Sequence, residues 1–201
     1  SKEAMRQVLA GLGAVALAAS AGAVALEYAP APLDNPLKGL VPYVSAEGKD
    51  HFPQSMEFRY FPLKSLMKGP AEFDWSPIEK TLKKVNGRGN QLIFRVYCEY
   101  PGHGDEVPEF LKKAGVKVTM WKDEDGVKCY NPDYRNPVMR KSLVAFITAL
   151  GKKYDGDPRV AYLTAGLLGA WGEWHTYPRD ELWAPKEVQR EVMNAYATAF
   201  T

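Results

Sequence analysis

Four short β-type runs, at 37–44, 55–63, 91–100 and 160–168, are interleaved with amphipathic helical segments, and this alternation most restricts the folds open to the chain. A strand that returns through a helix re-enters its sheet parallel to the strand before it, and a parallel sheet needs helices to cover its faces. The expected order is β-β-α-β-α-β-α. Helix boundaries carry their own signals. Ser76-Pro77-Ile78-Glu79 reads as a capping box with proline at the first helical position, where a missing N–H costs nothing. Ile78, Leu82 and Val85 supply its buried stripe, and Asn86-Gly87-Arg88-Gly89 ends it. Asn136-Pro137 opens a second helix with Leu143, Val144, Ile147, Leu150 and Tyr154 at helical spacing. Residues 185–200 form a third, with Val188, Val192, Tyr196 and Phe200 on one face. A short helix is expected at 108–114, followed by an irregular acidic connection around Asp123-Glu124-Asp125-Gly126. That connection reads as a solvated loop rather than a Ca²⁺ site.

The start of the chain bears on location. Lys2 and Arg6 precede an unbroken apolar and small-residue run at 8–19, which ends in Ala19-Ser20-Ala21-Gly22-Ala23. A basic start, a short apolar stretch and a small-residue cleavage site make an export signal at 1–25, and the run is shorter than the roughly 20 residues of a membrane span. The expectation is a secreted or periplasmic protein with no membrane contact once the signal is cleaved, an uncleaved anchor being the alternative. A Pro-rich linker occupies 26–36, and 37–201 forms the folded domain. An oxidising compartment permits one disulfide between Cys98 and Cys129, the only two cysteines; two buried or loop thiols that never bond are the other reading.

Hydrophobic content of 46% and aromatic content of 12% suffice for a core. With 26 basic against 24 acidic side chains there is no excess charge to recruit nucleic acid or an anionic surface, so a neutral partner is expected. No Gly-rich phosphate loop, Ser-His-Asp arrangement or His/Cys ligand cluster occurs, and the expectation includes neither cofactor nor metal.

In parallel α/β folds the functional groups gather at the carboxyl ends of the strands. In the third run Gln91, Ile93, Arg95, Tyr97 and Glu99 share one face by alternation, opposite Leu92, Phe94, Val96 and Cys98, and the polar face should point inward. Glu57 and Arg59 share a face in the second run. Arg59 and Arg95 fit either ligand contact or structural ion pairing. The densest constellation follows the fourth run: Gly166-Leu167-Leu168-Gly169-Ala170-Trp171-Gly172-Glu173-Trp174-His175-Thr176-Tyr177-Pro178. Glu173 between two indoles would be desolvated and its pKa raised, as a general acid requires, while indole and phenol faces stack on sugar rings. Trp171, Trp174, His175, Tyr97 and Tyr43 are the candidate sugar contacts. An aromatic loop that merely caps the sheet is the plainer alternative.

At these residues the chain resembles the clan A (β/α)8 glycoside hydrolases. More narrowly, Asn35-Pro36-Leu37-Lys38-Gly39, Phe73-Asp74-Trp75, Phe94-Arg95-Val96-Tyr97 and Trp171-Gly172-Glu173-Trp174-His175 resemble secreted bacterial proteins of unknown function with a β-galactosidase-like barrel. The resemblance implies a TIM-type (β/α)8 barrel truncated to about its first four β/α units, since a whole barrel takes about 250 residues. It implies Glu173 as general acid/base acting on a neutral oligosaccharide or polysaccharide, with Arg59, Arg95, Tyr97, Trp171, Trp174, His175 and Tyr43 at the substrate. Gly172 departs from the pattern, because many members hold Asn before this glutamate. The nucleophile, which double displacement places about 5 Å from the acid/base, would lie beyond Thr201, so the chain alone is expected to be inactive. A carbohydrate-binding barrel without turnover, or a structural protein reusing the fold, are the competing readings.

Overall fold

A parallel three-stranded sheet with helices packed on one of its faces forms the centre of the computed structural model, which describes residues 27–30 and 35–201. The expected export signal lies outside the described residues, as do residues 31–34 of the expected linker. The chain divides into two units, Ser1–Ala31 and Pro32–Thr201, and every described helix and strand belongs to the second. In chain order these are β1 (Met56–Pro62), α1 (Leu63–Leu66), β2 (Met67–Gly69), β3 (Glu72–Phe73), α2 (Ser76–Asn86), β4 (Gln91–Tyr97), α3 (Glu109–Lys113), β5 (Val118–Lys122), β6 (Lys128–Pro132), α4 (Pro137–Tyr154), β7 (Val160–Thr164) and α5 (Lys186–Ala199). None of the described helices is long and apolar enough to cross a membrane.

The parallel sheet has the order β1-β4-β7, with Tyr60 opposite Arg95 and Arg95 opposite Thr164. Alternation along β4 works as its sequence predicts. Leu92, Phe94, Val96 and Cys98 are buried in the core with Ile78, Leu82 and Val85 of α2 and Leu143, Phe146, Ile147 and Leu150 of α4. Each such side chain contributes roughly 1.5–3 kcal/mol by leaving water. On the opposite face Phe58, Tyr60, Ile93 and Arg95 are only half-buried and Tyr162 is exposed. Val144, grouped by helical spacing with Leu143, Ile147, Leu150 and Tyr154, is exposed while those four are buried.

The first expected strand is not one. Within 37–44 only Tyr43 pairs, in a single parallel bridge to Phe58. Leu37 (φ 59°) and Gly39 (φ 94°) are left-handed, and Pro42 has no N–H to give, so the segment cannot extend a ladder. Two antiparallel hairpins, β2–β3 and β5–β6, are additions to the expected order. The acidic connection is the tip of the second: Asp123 Oδ1 accepts from the N–H groups of Asp125 (3.0 Å) and Val127 (2.8 Å), and Gly126 takes φ 77° to close the turn.

At the start of α2 the capping box does not form. Asp74 Oδ1 accepts from Ser76 N (2.9 Å), while Glu79 turns to the Arg159 guanidinium at 3.0 Å. Asn136 does cap α4, its Oδ1 accepting from Val138 N (2.9 Å) and Met139 N (3.4 Å), with Pro137 just inside. Cys98 and Cys129 are free, buried thiols rather than a disulfide.

Candidate functional site

Register decides which side chains meet at the carboxyl end of the sheet. Because Tyr60 and Arg95 are directly opposed across β1 and β4, their side chains leave the same face. Arg95 Nη1 donates to Glu173 Oε1 at 2.7 Å, and its distance to the Tyr60 hydroxyl is 3.3 Å. The Tyr60 hydroxyl donates to the same Glu173 oxygen at 3.1 Å. Burial, together with this bond to a carboxylate, pushes the Tyr60 phenol up to about 12. The Arg95 guanidinium also lies over the rings of Tyr60 (5.5 Å) and Phe58 (6.0 Å). Its Nε is buried and has no hydrogen-bond partner among the described residues.

Glu173 therefore does not sit desolvated between two indoles, as its neighbours in sequence suggest. Its side chain is 42% exposed and held by a cation and a phenol. The reason lies in the loop at 165–178, where Leu167 (φ 70°), Gly169 (φ 76°), Trp171 (φ 54°), Gly172 (φ 68°) and Trp174 (φ 61°) are all left-handed. That path sends the two indoles apart. Trp174 turns toward the core, its Nε1 donating to the carbonyls of Ala165 (3.1 Å) and Gly166 (3.2 Å) and its ring meeting Trp183 edge-on at 6.3 Å. Its indole N–H is thus already committed to protein backbone, and the half-buried ring packs against the core. Trp171 stays on the site side, edge-on to Tyr100 at 6.3 Å. His175 lies tilted against Trp171 at 6.0 Å, its backbone carbonyl accepting from Ala170 N at 2.9 Å. Gly172 has a local reason to be glycine: a Cβ there would come within 3.0 Å of the Val96 carbonyl oxygen, in a conformation that already disfavours side chains.

The remaining aromatics ring the Arg95–Glu173 pair. Tyr43 is exposed and stacked 6.2 Å from Tyr60. Tyr97 is buried, edge-on to Tyr60 (6.2 Å) and Tyr100 (5.1 Å), and desolvation drives its phenol far above the ordinary range. Tyr97 therefore supports the wall rather than presenting a face. Arg59 is not part of this cluster. It is opposed to Phe94, so it leaves the helix-covered face, where its Nη1 donates to Thr81 Oγ1 (3.2 Å) and its guanidinium covers Phe61 (5.3 Å). Glu57 shares that face, fully buried and gripped by Arg88 Nε (2.8 Å) and Nη2 (2.6 Å) and by Asn90 Nδ2 (3.1 Å).

Two contributors lay outside the sequence reading, Tyr60 and Tyr100. The alternation Phe58-x-Tyr60 carries the signal, and it is this pair, not Glu57 and Arg59, that shares the face of Arg95. Glu99 is brought to the loop but not to the cluster. Its carboxyl is buried against Asn131 and Tyr134, and burial pushes it up to about 8. Among the described residues no group of three or more His, Cys, Asp or Glu side chains is placed to hold a metal ion.

No family model matches the chain, and no curated protein does. Among solved structures, a GH5_18 protein from Bifidobacterium longum subsp. longum is similar at 12% identity and TM-score 0.47, covering 73% of this chain and 32% of its own. A variant of it, in complex with Manb1-4GlcNAc, is similar at 11% identity and TM-score 0.47, over 73% and 31%. A GH31 alpha-xylosidase from a soil metagenome, complexed with xylose, is similar at 16% identity and TM-score 0.34, over 75% and 24%. The chain spans a third or less of the length of each.

Proposed function

We propose that the chain is the first part of a (β/α)8-barrel glycoside hydrolase, exported from the cell, that binds a neutral glycan over the carboxyl ends of β1, β4 and β7. The observation that carries the reading is the presentation of Glu173 beside Arg95 and Tyr60, on a half-open sheet face edged by aromatic rings. A glycosidic bond needs a proton delivered to its leaving oxygen, and a carboxyl group reachable from solvent yet fixed in direction can deliver one carried on Oε2, the oxygen that takes no bond from Arg95 or Tyr60. Glu173 is that group. Arg95 and Tyr60 aim it, while Tyr43, Tyr100 and Trp171 offer ring faces and edges to sugar C–H surfaces. The second carboxylate belongs to the remainder of the parent protein, which completes the barrel.

The test is hydrolysis of aryl glycosides and oligosaccharides by the full-length parent, beside its Glu173→Gln variant. Turnover in the parent and its loss in the variant, with glycan binding retained, is the expected result; equal turnover in both rejects the role. Saturable binding with no turnover in either protein moves the assignment to a carbohydrate-binding barrel. That second reading is favoured by one observation, that Glu173 Oε1 already accepts two hydrogen bonds.

A further inference from the structure

Glu99 is buried at the junction of three segments and takes no part in the Glu173 cluster. Two residues past the end of β4 its main chain makes a single parallel bridge to Ala170, and its carbonyl accepts from Trp171 N at 2.9 Å. Its carboxyl meets two neutral groups: Asn131 Nδ2 donates to Oε2, and the Tyr134 hydroxyl is bonded to Oε1. Asn131 in turn accepts from Trp121 Nε1, so β5 and β6 are both tied in. The Tyr134 oxygen accepts from Gly169 N at 2.8 Å. One continuous chain of hydrogen bonds thus runs from the β5–β6 hairpin through Glu99 and Tyr134 into the backbone of the loop that carries Glu173.

That loop needs such anchoring. Leu167, Trp171 and Trp174 are left-handed without being glycine, a conformation that persists only where the surroundings over-determine it. Gly169, between them, packs closely against the His175 backbone, where a Cβ would fall 2.3 Å from the carbonyl oxygen. The Tyr134 hydroxyl and the Glu99 carbonyl grip the loop at Gly169 and Trp171, two to four residues before Glu173.

We infer that Glu99 is a positioning residue: through Tyr134 its side chain fixes Gly169, and so aims Trp171 and Glu173 at the ligand. The ligand part of this rests on the reading of Glu173 above; the fixing of the loop does not. Filling space is a different role and can be separated from it. Leucine fills the volume and makes no hydrogen bond, leaving Asn131 Nδ2 and the Tyr134 hydroxyl without their acceptor at a cost of about 1–3 kcal/mol each. Glutamine keeps both bonds, its oxygen accepting from Asn131 and its N–H donating to the Tyr134 oxygen, whose proton can then turn to the Leu167 carbonyl at 3.4 Å.

The experiment is amide hydrogen exchange in the full-length protein across 166–175, with α4 as internal reference, for Glu99→Gln, Glu99→Leu and Tyr134→Phe. Glu99→Leu and Tyr134→Phe are expected to speed loop exchange about ten-fold or more with α4 unchanged, and Glu99→Gln to match the parent. Loop protection kept in Glu99→Leu and Tyr134→Phe overturns the inference. Should Glu99→Leu unfold the whole chain, Tyr134→Phe, which deletes one hydroxyl, decides alone. Glycan turnover by Glu173→Gln is followed in parallel. Turnover unaffected there, with the loop loosened by Tyr134→Phe, rejects the glycosidase reading and keeps Glu99 as the anchor of the loop; the reverse pattern rejects the anchor and keeps the glycosidase.

Discussion

Arg95 Nη1 reaches Glu173 Oε1 at 2.7 Å across 78 residues of sequence, joining the middle strand of the sheet to the loop after its last strand. With Glu173 42% exposed, solvent screens the pair, and its share of stability is at most about 1 kcal/mol. Its consequence is directional: the guanidinium, itself laid over Phe58 and Tyr60, determines where the carboxylate points.

Arg95→Met keeps most of the aliphatic stem and deletes the donor. Glycan affinity of the parent should fall about ten-fold, with global stability changed by no more than about 1 kcal/mol. Titration calorimetry beside denaturant unfolding reads both. Unchanged affinity would mean that the pair is surface decoration.

The buried pair of Glu57 and Arg88 should behave oppositely. Arg88→Met strands a fully buried carboxylate and is expected to cost about 3 kcal/mol or more, whereas Glu57→Leu combined with Arg88→Met should recover most of that loss. Urea midpoints of the two variants give the comparison, and equal losses would contradict it.

Two left-handed glycines separate conformational from steric cost. At Gly156 (φ 71°) nothing lies within 4 Å of where a Cβ would be, so alanine there should lose only about 1–2 kcal/mol from the backbone angle. At Gly169 a Cβ would fall 2.3 Å from the oxygen and 2.7 Å from the nitrogen of His175, both backbone atoms. Gly169→Ala should therefore destabilise clearly more than Gly156→Ala, by thermal unfolding, and loosen the loop that bears Glu173.

Glu99 makes stability pH-dependent in a stated direction. Burial raises its carboxyl from 4.5 to about 8, so across that interval the folded chain keeps a proton that the unfolded chain has released. Its contribution is complete below the lower value and is lost as pH rises through about 8. Thermal melts from about pH 5 to about pH 9 should show a fall in Tm that Glu99→Gln flattens. A variant that declines as steeply as the parent would remove Glu99 as the cause.

Local chemistry is legible in the sequence. The alternation of β4, the Asn136 cap and the apolar stripe of α2 each depend on residues within one or two turns or pleats of one another, and each holds. So does the placement of Glu173 after a strand, at the edge of a parallel sheet. The failures were failures of phase and partner. In β1 both Glu57 and Arg59 alternate as well as Phe58 and Tyr60 do, and only pairing with β4 decides which pair faces the helices.

What the sequence by itself determined was the parallel α/β order and the aromatic loop around Glu173, because period and turn chemistry are written within short windows. Tertiary structure alone decided that Glu173 lies in the open beside Arg95 and Tyr60, and that Trp174 turns to the core. It also decided that Glu99 anchors to Asn131 and Tyr134. The placements of Glu173 and Glu99 rest on contacts between residues 32 to 113 positions apart, and that of Trp174 on left-handed backbone that only the packed surroundings can hold.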